Sequence, residues 1–125
     1  MDHSYFLDLA RQQANQSVDQ GGKFRGAVLV KESQVIAQSG DQTRQHNNPI
    51  AVAEMECIRQ AGRRNDHRDL TLYMVQYPDM LTAGTVIQFL IGTLVIGLAE
   101  AQTPEISLLR SRDVNLIFID TAKVG

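Results

Sequence analysis

From residue 70 onward the chain repeats one unit: a short apolar run, a helical stretch, then another apolar run. Residues 70–75 (LTLYMV), 93–96 (TLVI) and 114–119 (VNLIFI) are too short for buried helices and carry β-branched side chains, so they read as strands. The stretches between them carry helix signals. Residues 80–91 follow Pro78 and Asp79 and stop at Gly92, and Thr103 with Pro104 opens a shorter helix. Strands joined through single helices need right-handed crossovers, which set the strands parallel and lay helices over the sheet. This half of the chain predicts a largely parallel sheet covered on both faces.

The first half completes the pattern. Residues 4–19 place Phe6, Leu7, Leu9, Ala10, Ala14 and Val18 on one side of a helix ended by Gly21 and Gly22. GAVLV (26–30) and VIAQSG (35–40), joined by Lys31, Glu32 and Ser33, read as a hairpin. A polar loop, GDQTRQHNN, leads to a helix whose first turn is set by Pro49, with Ala51, Met55, Ile58 and Ala61 at helical spacing until Gly62. The expected architecture is an α/β fold, a three-layer α/β/α sandwich with a five-stranded mixed sheet, in one domain over residues 1–125.

Composition narrows the function. With a formal charge of −2, the chain has no electrostatic case for non-specific nucleic-acid binding, and Arg59, Arg63, Arg64 and Arg68 read as a solvated helix end and loop. Cys57 is the only cysteine, which excludes an internal disulfide and any site needing two thiolates from this chain. The start MDHSYFLDLA lacks a basic segment and a continuous apolar run, so no signal peptide and a cytoplasmic location are expected. Residues 80–99 carry no charge and are long enough to span a bilayer, but Gly84, Gln88, Gly92, Thr93 and Gly97 interrupt them; a helix followed by a buried strand fits better.

Three stretches resemble the cytidine deaminase-like superfamily, in particular the branch with cytosine, guanine and tRNA adenosine deaminases. GAVLV resembles its first strand, NPIAVAEMECIRQAGR its first zinc helix, and YPDMLTAGTVIQFLIGTLVIG its second zinc helix with the following strand. The resemblance covers roughly residues 1–120. In that family a histidine or cysteine in an HxE motif and two cysteines in PCxxC hold Zn²⁺, while the glutamate moves protons. Zinc lowers the pKa of its bound water toward 7 and so makes a nucleophile. On this chain the resemblance puts Val52, Asp79 and Thr82 at the ligand positions and Glu54 at the proton-shuttle position. It also puts Gln42 near the place where the family often has a substrate-binding asparagine, and it leaves no room for the family's C-terminal helix.

These residues leave several expectations open. Asp79 is either a carboxylate ligand or the N-cap of the helix beginning at Met80, with the cap favoured. Val52 and Met55 are expected to fill the space of a vacated metal site. Glu54 either binds an amino group, acts as a base without metal, or stabilises a helix N-terminus. His46 with Glu54 and Asp79 makes a conceivable mixed site for a divalent metal other than zinc. Cys57 reads as core rather than nucleophile. The apolar QFLIGTLVIG suggests a homodimer. Two functions follow: a deaminase-family protein without zinc that binds a small nucleobase-like ligand through Gln42, His46, Glu54 and Asp79 or serves as a non-catalytic partner, or a divergent hydrolase or deaminase using Glu54. A third is a purely structural interaction protein. No cofactor, no membrane and no nucleic acid are expected.

Overall fold

The computed structural model describes residues 2–121. Its elements are α1 (His3–Asp19), β1 (Gly26–Lys31), β2 (Gln34–Gly40), α2 (Ala53–Ala61), a 3-10 turn at His67–Asp69, β3 (Thr71–Met74), α3 (Met80–Gln88), β4 (Thr93–Ile96), α4 (Pro104–Ser111) and β5 (Asn115–Phe118). Their order is the expected one. The strands form a single mixed sheet in the order β2-β1-β3-β4-β5.

The mixed sheet and the parallel run of the later strands are as expected; the place of β1 between β2 and β3 was not. β1 runs antiparallel to both β2 and β3, and only β3 with β4 and β4 with β5 are parallel. The hairpin sets the first antiparallel pair, with Glu32 and Ser33 both left-handed (φ 50° and 64°) in a tight two-residue turn. The chain then passes through α2 from β2 to β3, and β1 sits between those two strands. Skipping a strand is a non-local event that hydrophobic patterning does not encode.

Period-two alternation divides the strand residues between the two faces. Val28, Val30, Tyr73, Val75 and Val95 pack with Phe6, Leu7, Ala10 and Ala14 of α1. On the opposite face Ala27, Leu29, Leu72, Met74, Leu94 and Ile96 meet Ala53, Cys57 and Ile58 of α2, Ala83 and Val86 of α3, and Leu109 of α4. One helix therefore covers one face and three cover the other. No helix among the described residues is long and apolar enough to cross a membrane.

Two helix boundaries depart from expectation, each for a local reason. Pro49 does not open α2. The Asn48 side chain accepts from the Ile50 amide (3.1 Å) and the Asn48 carbonyl accepts from the Ala51 amide (3.1 Å), so Pro49 lies in a turn. Helix α2 then begins four residues later, with Glu54 in its first turn. Helix α3 stops before Gly92: Leu90 takes the left-handed conformation (φ 59°), its amide bonds Ile87 and that of Ile91 bonds Val86. Gly92 has another task, since a Cβ there would press on the Arg68 carbonyl group. The apolar excess of QFLIGTLVIG is also largely consumed inside the chain, where Ile91, Leu94, Val95 and Ile96 are buried.

Candidate functional site

The site forms where the first turns of α2 and α3 face the segment after β3. Glu54 is fully buried there. A buried carboxylate is costly unless hydrogen bonds replace its water, and both of its oxygens are supplied. The Thr82 hydroxyl donates to Glu54 Oε2 at 2.9 Å, and the Gln76 amide donates to Glu54 Oε1. The Gln76 orientation follows from its other end: Gly26 N–H donates to Gln76 Oε1 at 2.9 Å, which leaves only the NH₂ group to face Glu54. Three backbone segments are thus tied to one carboxylate.

Asp79 caps α3 rather than joining Glu54. Its Oδ1 accepts from the Thr82 amide at 2.9 Å, the N-cap arrangement expected from sequence, and such a cap contributes about 1 kcal/mol. Its Oδ2 lies 3.4 Å from an Arg25 guanidinium nitrogen. Burial pushes the Glu54 carboxyl above its ordinary range; the Arg25 charge and the bonds from Thr82 and Gln76 pull it back without cancelling that effect.

The other residues singled out from sequence fall differently. Val52 is the N-cap of α2, buried and without a capping side chain, while Met55 is half-buried and its sulfur accepts from the Thr85 hydroxyl at 2.9 Å. Cys57 is fully buried with its Sγ directed at the Ala27 carbonyl (3.5 Å), and burial raises its thiol pKa. That is a core cysteine. Gln42 turns its side chain toward Gln20 (3.4 Å), and His46 is exposed. The conceivable divalent site of His46, Glu54 and Asp79 is not assembled: no group of three or more His, Cys, Asp or Glu that could hold a metal ion occurs among the described residues. Gln76 and Arg25 were not singled out from sequence. The signal for Gln76 was the need of a buried Glu54 for donors, which a polar residue next to a strand end supplies; Arg25 bonds Asp79 and acts on Glu54 only through its charge.

This architecture has known counterparts. The model of the cytidine and deoxycytidylate deaminase zinc-binding region matches residues 1–98. The chain belongs to this deaminase family. It is similar to a tRNA-specific adenosine deaminase of Buchnera aphidicola, 28% identical over 116 residues that span 90% of this chain and 77% of that protein. A tRNA-specific adenosine deaminase of Aquifex aeolicus is 34% identical over 64 residues, 51% of this chain and 42% of the relative. Among solved structures, a chain from a study of A-to-I editing by tRNA deaminases at the wobble position superposes with a TM-score of 0.71 at 30% identity, covering 78% of this chain and 77% of that one. Guanine deaminase from Bacillus subtilis shares the fold, with a TM-score of 0.63 and 24% identity, over 100% of this chain and 71% of that chain. In this deaminase-family chain the Glu54 carboxylate lies where the first turns of α2 and α3 meet, and Gln76 and Thr82 enclose it.

Proposed function

We propose that this deaminase-family protein does not carry out zinc-dependent deamination and acts as a non-catalytic partner protein, with Glu54 kept as a buried hydrogen-bond hub. The observation that carries the reading is that Glu54 exposes no surface and both of its oxygens already accept bonds, from Gln76 and Thr82. A proton shuttle has to reach the substrate or the attacking water, and a carboxylate enclosed in this way reaches neither.

The donor set supports the same reading. Zinc is held by thiolate, imidazole or carboxylate groups. Val52 offers hydrocarbon, the Thr82 hydroxyl is directed at Glu54, and Asp79 is divided between the α3 amide and Arg25. These residues do not fit the ion. A nucleobase-like ligand at Glu54 would have to displace Gln76 or Thr82 from a buried carboxylate, so the partner role is preferred to the ligand-binding one. Exposed Tyr77, Met80 and Leu81 beside Asp79 support pairing there, with a second copy as the first partner to consider.

The relatives named for tRNA-specific adenosine deamination choose the substrates for the test. Ammonia release from tRNA, adenosine, cytidine and guanine, measured with zinc added, is expected to stay at the rate seen without protein. Release that disappears in Glu54→Gln would overturn the proposal.

A further inference from the structure

We infer that the groove between the C-terminal ends of α2 and α3 binds a nucleotide unit, one phosphate beside one stacking base. The groove has a volume of about 820 Å³ and is walled by the end of α2, the 62–69 loop and the last residues of α3. That size is ordinary for a small-molecule site. It is also separate from the Glu54 site: α2 has nine residues and so spans about 13 Å, with Glu54 in its first turn and the groove at its far end.

Its charge is opposite to that of the molecule. Arg59, Arg63, Arg64 and Arg68 against Asp66 and Asp69 give the lining a formal +2, whereas the whole chain carries −2. Not all of these arginines are free. Arg59 holds Glu56 at 2.9 Å, and Arg64 grips Asp66 through two bonds of 2.8 Å while Lys31 holds the same carboxylate at 2.7 Å. Arg63 and Arg68 are exposed, and no hydrogen bond or ion pair engages their side chains among the described residues. The carbonyl ends of α2 and α3 and the Asp69 carboxylate oppose an anion. Two uncommitted guanidinium groups, each able to grip a phosphate through two parallel bonds, offset them.

The aromatic component lies in the same groove. Phe89 is 38% exposed, and its ring centroid is 5.9 Å from that of His67 at a tilt of 48°. The left-handed Leu90 ends α3 at this point, leaving Phe89 as the helix C-cap at the rim. A half-open aromatic face beside arginines is the composition that stacks bases in single-strand and nucleotide sites. An acidic peptide would use the arginines but leave Phe89 without a role.

The test is calorimetric titration of the full chain with UMP, AMP, inorganic phosphate and a short single-stranded oligouridylate. Both nucleotides are expected to bind, and Phe89→Ala to weaken them about tenfold while leaving phosphate binding unchanged. The double variant Arg63→Ala/Arg68→Ala is expected to weaken every one of these probes at least about tenfold; because both side chains are exposed and unbonded, it should fold normally. Oligouridylate binding much tighter than UMP identifies a nucleic-acid strand as the source of the unit, and equal binding identifies a free nucleotide. Absence of nucleotide and oligonucleotide binding, or binding that the double variant does not change, would overturn the inference.

Discussion

Replacing Glu54 with alanine should destabilise the protein by about 3 kcal/mol, and Glu54→Gln by about 1 kcal/mol or less. Alanine strands two buried partners, the Gln76 amide and the Thr82 hydroxyl, and leaves a void where the carboxylate stood. Glutamine keeps the volume, accepts from one partner and donates to the other. In a chain of 125 residues the alanine loss corresponds to a melting temperature lower by about 10 °C, readable by circular dichroism. A functional carboxylate held in strain would give the opposite result, a stabilised Glu54→Ala.

The same pair of variants reports a pH dependence. Glu54 is raised above its ordinary value of 4.5, so the folded state binds its proton more tightly than the unfolded state. Its contribution is fully present below pH 4.5 and is lost as the pH rises through the folded value. Wild-type stability should therefore fall over that window by more than the stability of Glu54→Gln does. Parallel pH profiles would show that Glu54 is not the group responsible.

Gly26→Ala should be nearly as damaging, at about 2 to 3 kcal/mol. A methyl group there would be driven into the Ala10 carbonyl and would stand 2.7 Å from the Ala14 amide nitrogen, both backbone atoms of α1. Neither can rotate away, so α1 must lift from β1. The Gly26 amide also holds Gln76 in place for Glu54, and the damage therefore spreads into the buried network. Combined with Glu54→Ala, the substitution should cost less than the sum of the two single losses, because both dismantle one network. Thermal melts of the two single variants and the double variant measure this directly. A fully additive result would separate β1 from the site.

Much of this fold was legible in the chain. TLVI forms β4 with the expected bounds, and Thr103 caps α4 as its sequence suggests, because both signals are local. Pro49 misled because Asn48 has a side chain able to capture the Ile50 amide, and a turn competes there with a first helical turn. The antiparallel pairing of β1 with β3 was hidden because strand order is a long-range property. At the site, Glu54, Asp79 and Thr82 could be named from the family motif. The motif marks positions, however, and not hydrogen-bond partners. Gln76 and Arg25 lie outside it and come to Glu54 and Asp79 only when β1 and β3 pair. Gln42 and His46 occupy the right stretch of loop, yet the side chain of one turns to Gln20 and the other faces solvent.

The proposed parting of this deaminase fold from zinc chemistry can be read from elemental analysis of protein purified without chelator and then equilibrated with zinc. If Val52, Asp79 and Thr82 stand at the zinc-ligand positions, as the resemblance implies, zinc is expected far below one ion per chain after removal of excess metal. Zinc retained at one ion per chain, and lost in Asp79→Ala, would contradict the proposal.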